Sequence, residues 1–220
     1  MHQADTPSKV AKIARTLYVE GPAMARAMQH YRPYISPFEL LLPLVPPASR
    51  VLDIGCGSGL FLGLLAATGR LSAGLGIDSS RPAIALANRM ASGLPGGSGV
   101  RFECRDASAP LPAEKYDVIS LIDVMHHIPP AHQRAVLEQA IERVAPGGRL
   151  IYKDMVARPF WRAFANRAHD LLIARQWIHY LPLQDAIACA TAKGCTVIEN
   201  RTVNMLWYGH EIVVFQVPSK

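Results

Sequence analysis

From Arg50 onward, short apolar runs alternate with segments of helical length, and no other feature constrains the fold as tightly. The runs are RVLDI, LSAGLGID, VRFECRD, YDVISLID and GRLIYKDM. Between them lie SGLFLGLLAATG, SRPAIALANRMA and PAHQRAVLEQAIERVAPGG. A strand with one wet face alternates apolar and polar residues, whereas a near-continuous apolar run implies cover on both faces. A parallel sheet with helices on either side requires that cover. The third helical segment should start at its prolines and stop at Pro-Gly-Gly, following the preference for Pro at the start of a helix and Gly at its end. LPGGSG and SAPLPAEK read as loops.

After GRLIYKDM the pattern changes. RPFWRAFANRAHDLLIAR puts Trp161, Phe164, Ala168 and Leu171 or Leu172 on one helical face. A further helix, LPLQDAIACATAKG, leads to two closing strands, TVIENRTVN and HEIVVFQV, joined by MLWYG. So short a connection cannot carry a parallel crossover, so the last two strands should run antiparallel. The expected fold class is α/β: a doubly wound seven-stranded sheet, mostly parallel with an antiparallel last strand. Inserted helices precede strand 6. Residues 1–49, helical and then punctuated by prolines, are expected to form an N-terminal cap on a domain spanning residues 50–220.

The chain has 220 residues, half of them hydrophobic and 18% charged, enough for one well-cored domain. The first twenty residues show no apolar signal segment, and the longest apolar stretches, GLFLGLLAATG and FELLLPLVPP, are too short to span a bilayer. A cytoplasmic location is the expectation. Cys56, Cys104, Cys189 and Cys195 have no metal-type spacing, so no metal is expected. The net charge of +6 is scattered, and no nucleic-acid partner is expected from it.

Ligands of an open parallel sheet bind beyond the carboxyl ends of its strands. Each of those ends carries an aspartate: Asp53, Asp78, Asp106, Asp123 and Asp154. Any one of them could simply cap a helix or open a turn, but five together argue for a site. The stretch VLDIGCGSG supplies the other half. Gly55, Gly57 and Gly59 let the chain turn sharply from strand to helix and bring bare backbone close to a ligand. The dinucleotide fingerprint would need a glycine at position 60, where Leu60 stands. Cys56 in this loop could in principle be a nucleophile, but nothing in the sequence places a base beside it.

These motifs together resemble those of class I S-adenosylmethionine-dependent methyltransferases. VLDIGCGSG resembles that family's first motif, GIDSS its second-strand acidic motif and CRDAS its third. YDVISLIDVMHHIP and VAPGGRLIYKDM resemble the motifs around the fourth and fifth strands. The resemblance covers Arg50 to Met155. YKDMVARPFWRAFANRAHDLL further resembles bacterial small-molecule methyltransferases beside polyketide and lipid pathways. The resemblance implies a Rossmann-like sheet and S-adenosyl-L-methionine as cofactor, with Gly55, Cys56, Gly57 and Gly59 against its methionine part and sugar. It implies that Asp53 reaches the amino group, directly or through water, and that Asp78, beside Ser79, accepts the ribose hydroxyls. Asp106 would take the adenine amino group with Ala107 at the ring edge, and Asp123 would lie near the sulfonium. A cationic donor favours a rim of carboxylates, which a phosphate-bearing dinucleotide would not.

A hydroxyl acceptor must lose a proton during transfer. His126 and His127 follow the fourth strand, His127 being the preferred candidate. His210 opens the last strand, so that Trp207, Tyr208 and His210 should border the acceptor pocket. The catalytic candidates are His127, His210 and Asp154; His169 and His179 read as surface or packing residues. The expected reaction is methyl transfer to a hydroxyl, or an activated carbon, of a small apolar, polyketide, aromatic or lipid-like metabolite. That acceptor could be free or carrier-bound. Arg158, Arg162, Arg167 and Arg175 around the inserted helix would suit a peripheral membrane or acyl-carrier contact. RNA or protein methylation is a second reading, weakened by the absence of a dense basic patch. IDVM also replaces the Asn/Asp-Pro-Pro-Tyr motif of amino-methylating enzymes. A non-catalytic partner subunit of the same fold is a third reading.

Overall fold

The computed structural model describes residues 6–94, 99–156, 179–206 and 208–219. Its strands are β1 (Ser49–Ile54), β2 (Leu71–Asp78), β3 (Val100–Cys104), β4 (Tyr116–Ile122), β5 (Val144–Met155), β6 (Thr196–Met205) and β7 (Tyr208–Gln216). They form a seven-stranded sheet in the order β3-β2-β1-β4-β5-β7-β6. The chain divides into two compact units, residues 1–106 and 107–220.

In the first unit β1, β2 and β3 run parallel, with Asp53 level with Gly76 and Asp78 level with Cys104. Val51, Leu52 and Ile54 are fully buried, as the continuous apolar run requires. Helix α1 (Pro7–Leu17) starts at Thr6, whose side chain accepts the Lys9 N–H, and has Pro7 in its first turn. Helix α2 (Ala23–Tyr31) and the short helix α3 (Phe38–Leu41) follow. Helix α4 (Leu60–Ala67) is apolar throughout and buried from Leu60 to Leu65. Helix α5 (Arg81–Ser92) is capped by Ser80, which accepts the Ala83 N–H at 3.3 Å.

In the second unit β4 and β5 are parallel, and β7 runs antiparallel to both β5 and β6. The reversed last strand matches the expectation drawn from the short connection. The two strands close further than the sequence suggested, leaving only residues 206 and 207 between them. Leu206 is left-handed at φ 53°, as tight hairpin turns demand. Helix α6 (Pro130–Arg143) ends before the expected Pro-Gly-Gly stop. Val144 is already extended at φ −69°, ψ 138°. Pro146 lacks the N–H a helix would use, and its ring crowds the residue before it. Val144–Gly148 therefore enters β5, and the pairing register shifts between Tyr116 and Val118. The last described helix is Leu183–Ala192. The proposed helix carrying Arg158, Trp161, Arg162, Phe164, Arg167, Ala168, His169, Leu171, Leu172 and Arg175 lies outside the described residues. So do Trp207 and most of the GGSG loop. Among the described residues no helix is long and apolar enough to cross a membrane.

Candidate functional site

In the first unit the glycine loop is fastened to β2 by the N–H groups of Gly55 and Cys56. Both donate to the Ile77 carbonyl, at 2.8 and 3.0 Å. The glycines are required for different reasons. Gly59 sits at φ 80°, and a Cβ there would lie 2.4 Å from the Phe102 ring. Gly57 sits at φ 53° with nothing within 4 Å of where a Cβ would be, so its backbone faces open space. The Gly57 N–H donates to Asp78 Oδ2 at 2.8 Å, and the Ser80 N–H donates to Asp78 Oδ1 at 2.8 Å. Each Asp78 oxygen thus holds one backbone donor. An ionised carboxylate offers about four acceptor sites, which leaves one on each oxygen for a vicinal diol.

Asp53 is buried at the end of β1. Asp106 and Ser79 are exposed, Ala107 is half-buried, and all follow strand ends. The Cys56 thiol donates to the Gly57 carbonyl, and its pKa is pushed up by burial and then by the charges of Asp53 and Asp78. A thiol held protonated in this way is a poor nucleophile. The loop's other anchor comes from a residue the sequence did not flag. Tyr18, directly after α1 and 1% exposed, donates its hydroxyl to the Ser58 carbonyl at 2.7 Å. Burial is the main reason its phenol pKa is raised. Open backbone at Gly57, free acceptor capacity on Asp78 and the neighbouring Asp53 carboxyl fit the sugar and cationic amino-acid end of S-adenosylmethionine.

The second unit carries a different chemistry. Asp123, directly after β4, is left-handed at φ 54°, and its N–H donates to the Lys153 carbonyl at 2.9 Å. The Lys153 ammonium, fully buried in β5, forms an ion pair with the Asp123 carboxylate. One residue on, the buried carboxylate of Asp154 accepts from His126 Nδ1 and from the Met155 N–H. His126 is fully buried in the short turn Met125–His127. Gln133 fixes that turn by donating to the carbonyls of Met125 and His179, at 3.0 and 2.7 Å. The His179 N–H donates to the His126 carbonyl at 2.9 Å.

Asp154 stands level with Glu211 across β5 and β7. Burial and then the Asp154 charge raise the Glu211 pKa. On the same face Tyr152 is buried, its phenol pKa raised by burial and then by Asp154 and Glu211. His210 is buried level with Met155, one register position away from Asp154, and alternation puts it on the opposite face. Its ring lies 6.2 Å from Tyr208.

The structure therefore does not bring the three sequence-chosen residues together. Asp154 meets His126, while His127 is exposed with its ring 4.2 Å from that of His126. Lys153 and Glu211 were missed. A lysine inside the apolar run LIYKDM was the available signal for the first, since a charge there needs a buried partner. Among the described residues no cluster suited to a metal ion occurs.

The sheet order and the reversed β7 are those of class I methyltransferases, and a family described as methyltransferase domain matches residues 24–200. The chain belongs to this methyltransferase family. Among curated relatives, this methyltransferase chain is 34% identical over 167 residues to trans-aconitate 2-methyltransferase of Methylobacterium nodulans. That match covers 71% of the chain and 60% of the relative. It is 26% identical over 119 residues to the ubiquinone biosynthesis O-methyltransferase of Pseudomonas savastanoi, covering 53% of the chain and 48% of the relative. The match thus spans only about half to three-fifths of these relatives' length. The solved magnesium protoporphyrin IX methyltransferase of Synechocystis, with bound SAH, shares the fold at TM-score 0.68 and 18% identity. That alignment covers 94% of the chain and 93% of the neighbour.

Proposed function

We propose that the protein transfers a methyl group from S-adenosylmethionine to a hydroxyl, or an activated carbon, of a small apolar or lipid-like metabolite. The observation that carries this reading is the Gly57–Asp78 cradle of the first unit in a chain of the methyltransferase family. Support for a small-molecule acceptor comes from the relatives, whose names specify trans-aconitate methylation and an O-methyl step of ubiquinone biosynthesis.

S-adenosylmethionine, when bound, supplies an electrophilic methyl on a sulfonium. Asp78 would hold the sugar diol, and the open backbone at Gly57 would receive the amino-acid end. Asp53 and Asp78 would supply negative charge to a cationic donor, and Asp106 would take the adenine amino group. In the second unit Asp154 accepts the Nδ1 proton of His126, which makes Nε2 the basic nitrogen of the neutral ring. We assign the acceptor's proton to that nitrogen, with Asp154 as the positioning carboxylate. Because His126 is fully buried, an acceptor must displace what covers the ring. The exposure of His127 makes it the second reading for the base.

Calorimetric titration with S-adenosylmethionine and with NAD tests the donor. Binding of the first alone, weakened about a hundredfold or more in Asp78→Ala, is expected, since hydrogen bonds to a charged group contribute about 1.5–3 kcal/mol each. Binding of neither would refute the reading. For the base, methyl uptake by a panel of phenols, hydroxy-lipids and organic acids should fall about 10²–10⁴-fold in His126→Gln with donor affinity kept. His127→Gln should change it little; the reverse ranking transfers the role to His127.

A further inference from the structure

Helix α2 is inside out. Its exposed positions are Ala23, Met24, Ala27, Met28 and Tyr31, all apolar, and its one buried residue is Gln29. Met24 keeps 76% of its surface exposed, and Val19, just ahead of the helix, 63%. A helix on a folded domain ordinarily turns its apolar stripe to the core. Single exposed apolar residues are common, but a continuous helical stripe marks a contact surface.

The charges around it indicate what the contact is. Helix α1 exposes Lys9, Lys12 and Arg15. From Thr6 to Phe38 the only acid is Glu20, against those three cations and Arg26 and Arg32. A second copy seated symmetrically on this region would bring like charges together. A bilayer with anionic headgroups would match the cations and take up the stripe.

We propose that the N-terminal helices seat on an anionic lipid surface. Met24, Met28 and Tyr31 enter the headgroup boundary, and Lys12 and Arg15 lie against lipid phosphates. The proposal is independent of the methyl-transfer reading, because its test measures binding rather than turnover.

The test is co-sedimentation of the full chain with equimolar phosphatidylcholine–phosphatidylglycerol vesicles and with phosphatidylcholine vesicles. Binding to the mixed vesicles, weaker with added salt and at least about tenfold weaker on neutral ones, is expected. Met24→Glu/Met28→Glu and Lys12→Glu/Arg15→Glu should each lower it about tenfold or more. The four positions are exposed, so both variants should keep the wild-type circular dichroism and melting curve. Three results would overturn the proposal: no sedimentation with mixed vesicles, equal binding to neutral ones, or variants that bind like the wild type. Self-association that Met24→Glu/Met28→Glu abolishes, without vesicle binding, would also overturn it and give the face to a second copy.

Discussion

The two units treat their carboxylates in opposite ways. In the first, Asp78 is held by neutral backbone donors, the N–H groups of Gly57 and Ser80, and its charge stays uncompensated by them. In the second, Asp123 is matched by the Lys153 ammonium, and Asp154 accepts from the side chain of His126. Burial first, and then the charges of Asp53 and Asp78, raise the pKa of the Cys56 thiol. Strand-end aspartates are therefore not one class. In the function proposed above, Asp78 of the first unit would serve a cationic ligand. Those of the second are tied to side chains that fix a backbone or orient a ring.

The contrast breaks hardest at Lys153. Replacing it with Met leaves Asp123 without its ammonium partner in a mostly buried site, and a loss of about 3–5 kcal/mol in denaturant unfolding is expected. The double variant Lys153→Met/Asp123→Asn should recover most of that. No recovery would mean that Lys153 acts through packing rather than charge. In the first unit the corresponding contact is neutral and smaller. Tyr18→Phe removes one buried hydrogen bond to the Ser58 carbonyl, costing about 0.5–1.5 kcal/mol. It should also loosen the glycine loop enough for calorimetry to detect weaker donor binding.

The smallest effect tests the exception to the pattern. Glu211 faces Asp154, so it adds a like charge to the second unit. Its folded pKa lies above the ordinary 4.5, so the folded state binds the proton more tightly than the unfolded chain does. Stability therefore falls as pH rises from about the ordinary value through the raised one, and the full penalty is present only above the raised value. Glu211→Gln should melt slightly higher than the wild type at neutral pH, the difference vanishing below the ordinary carboxylate range. A variant that melts lower at neutral pH would show that Glu211 has a stabilising partner and is no exception to the pattern.

Strands β1, β4 and β7 were legible because each is a local run whose burial follows from its own residues, and β2 occupies the expected positions Leu71–Asp78. The end of α6 was not. Pro146 and its two glycines carry the same letters whether they stop a helix or bend a strand, and the choice depends on pairing with β4. On the site, the aspartates and the glycine loop could be read from type and spacing. The choice between His126 and His127 could not, because one residue of rotation in a tight turn decides which ring meets Asp154. The Lys153–Asp123 pair needs the register that sets Ile122 beside Lys153, and nothing local encodes it. Tyr18 lies 40 residues from the carbonyl it holds.

The Phe102 ring has a consequence for how this chain can vary. A Cβ at Gly59 or at Gly76 would fall within about 2.5 Å of that one ring, and a Cβ at Gly76 would also meet the Cys56 sulfur at 2.8 Å. The three positions are epistatic. Trimming Phe102 opens room over both glycines, yet only position 76 lies outside the left-handed backbone region and can use it. Along any mutational path, change at Phe102 together with a shift or change of Cys56 must come before change at Gly76, and Gly59 stays fixed by its φ whatever happens to its neighbour.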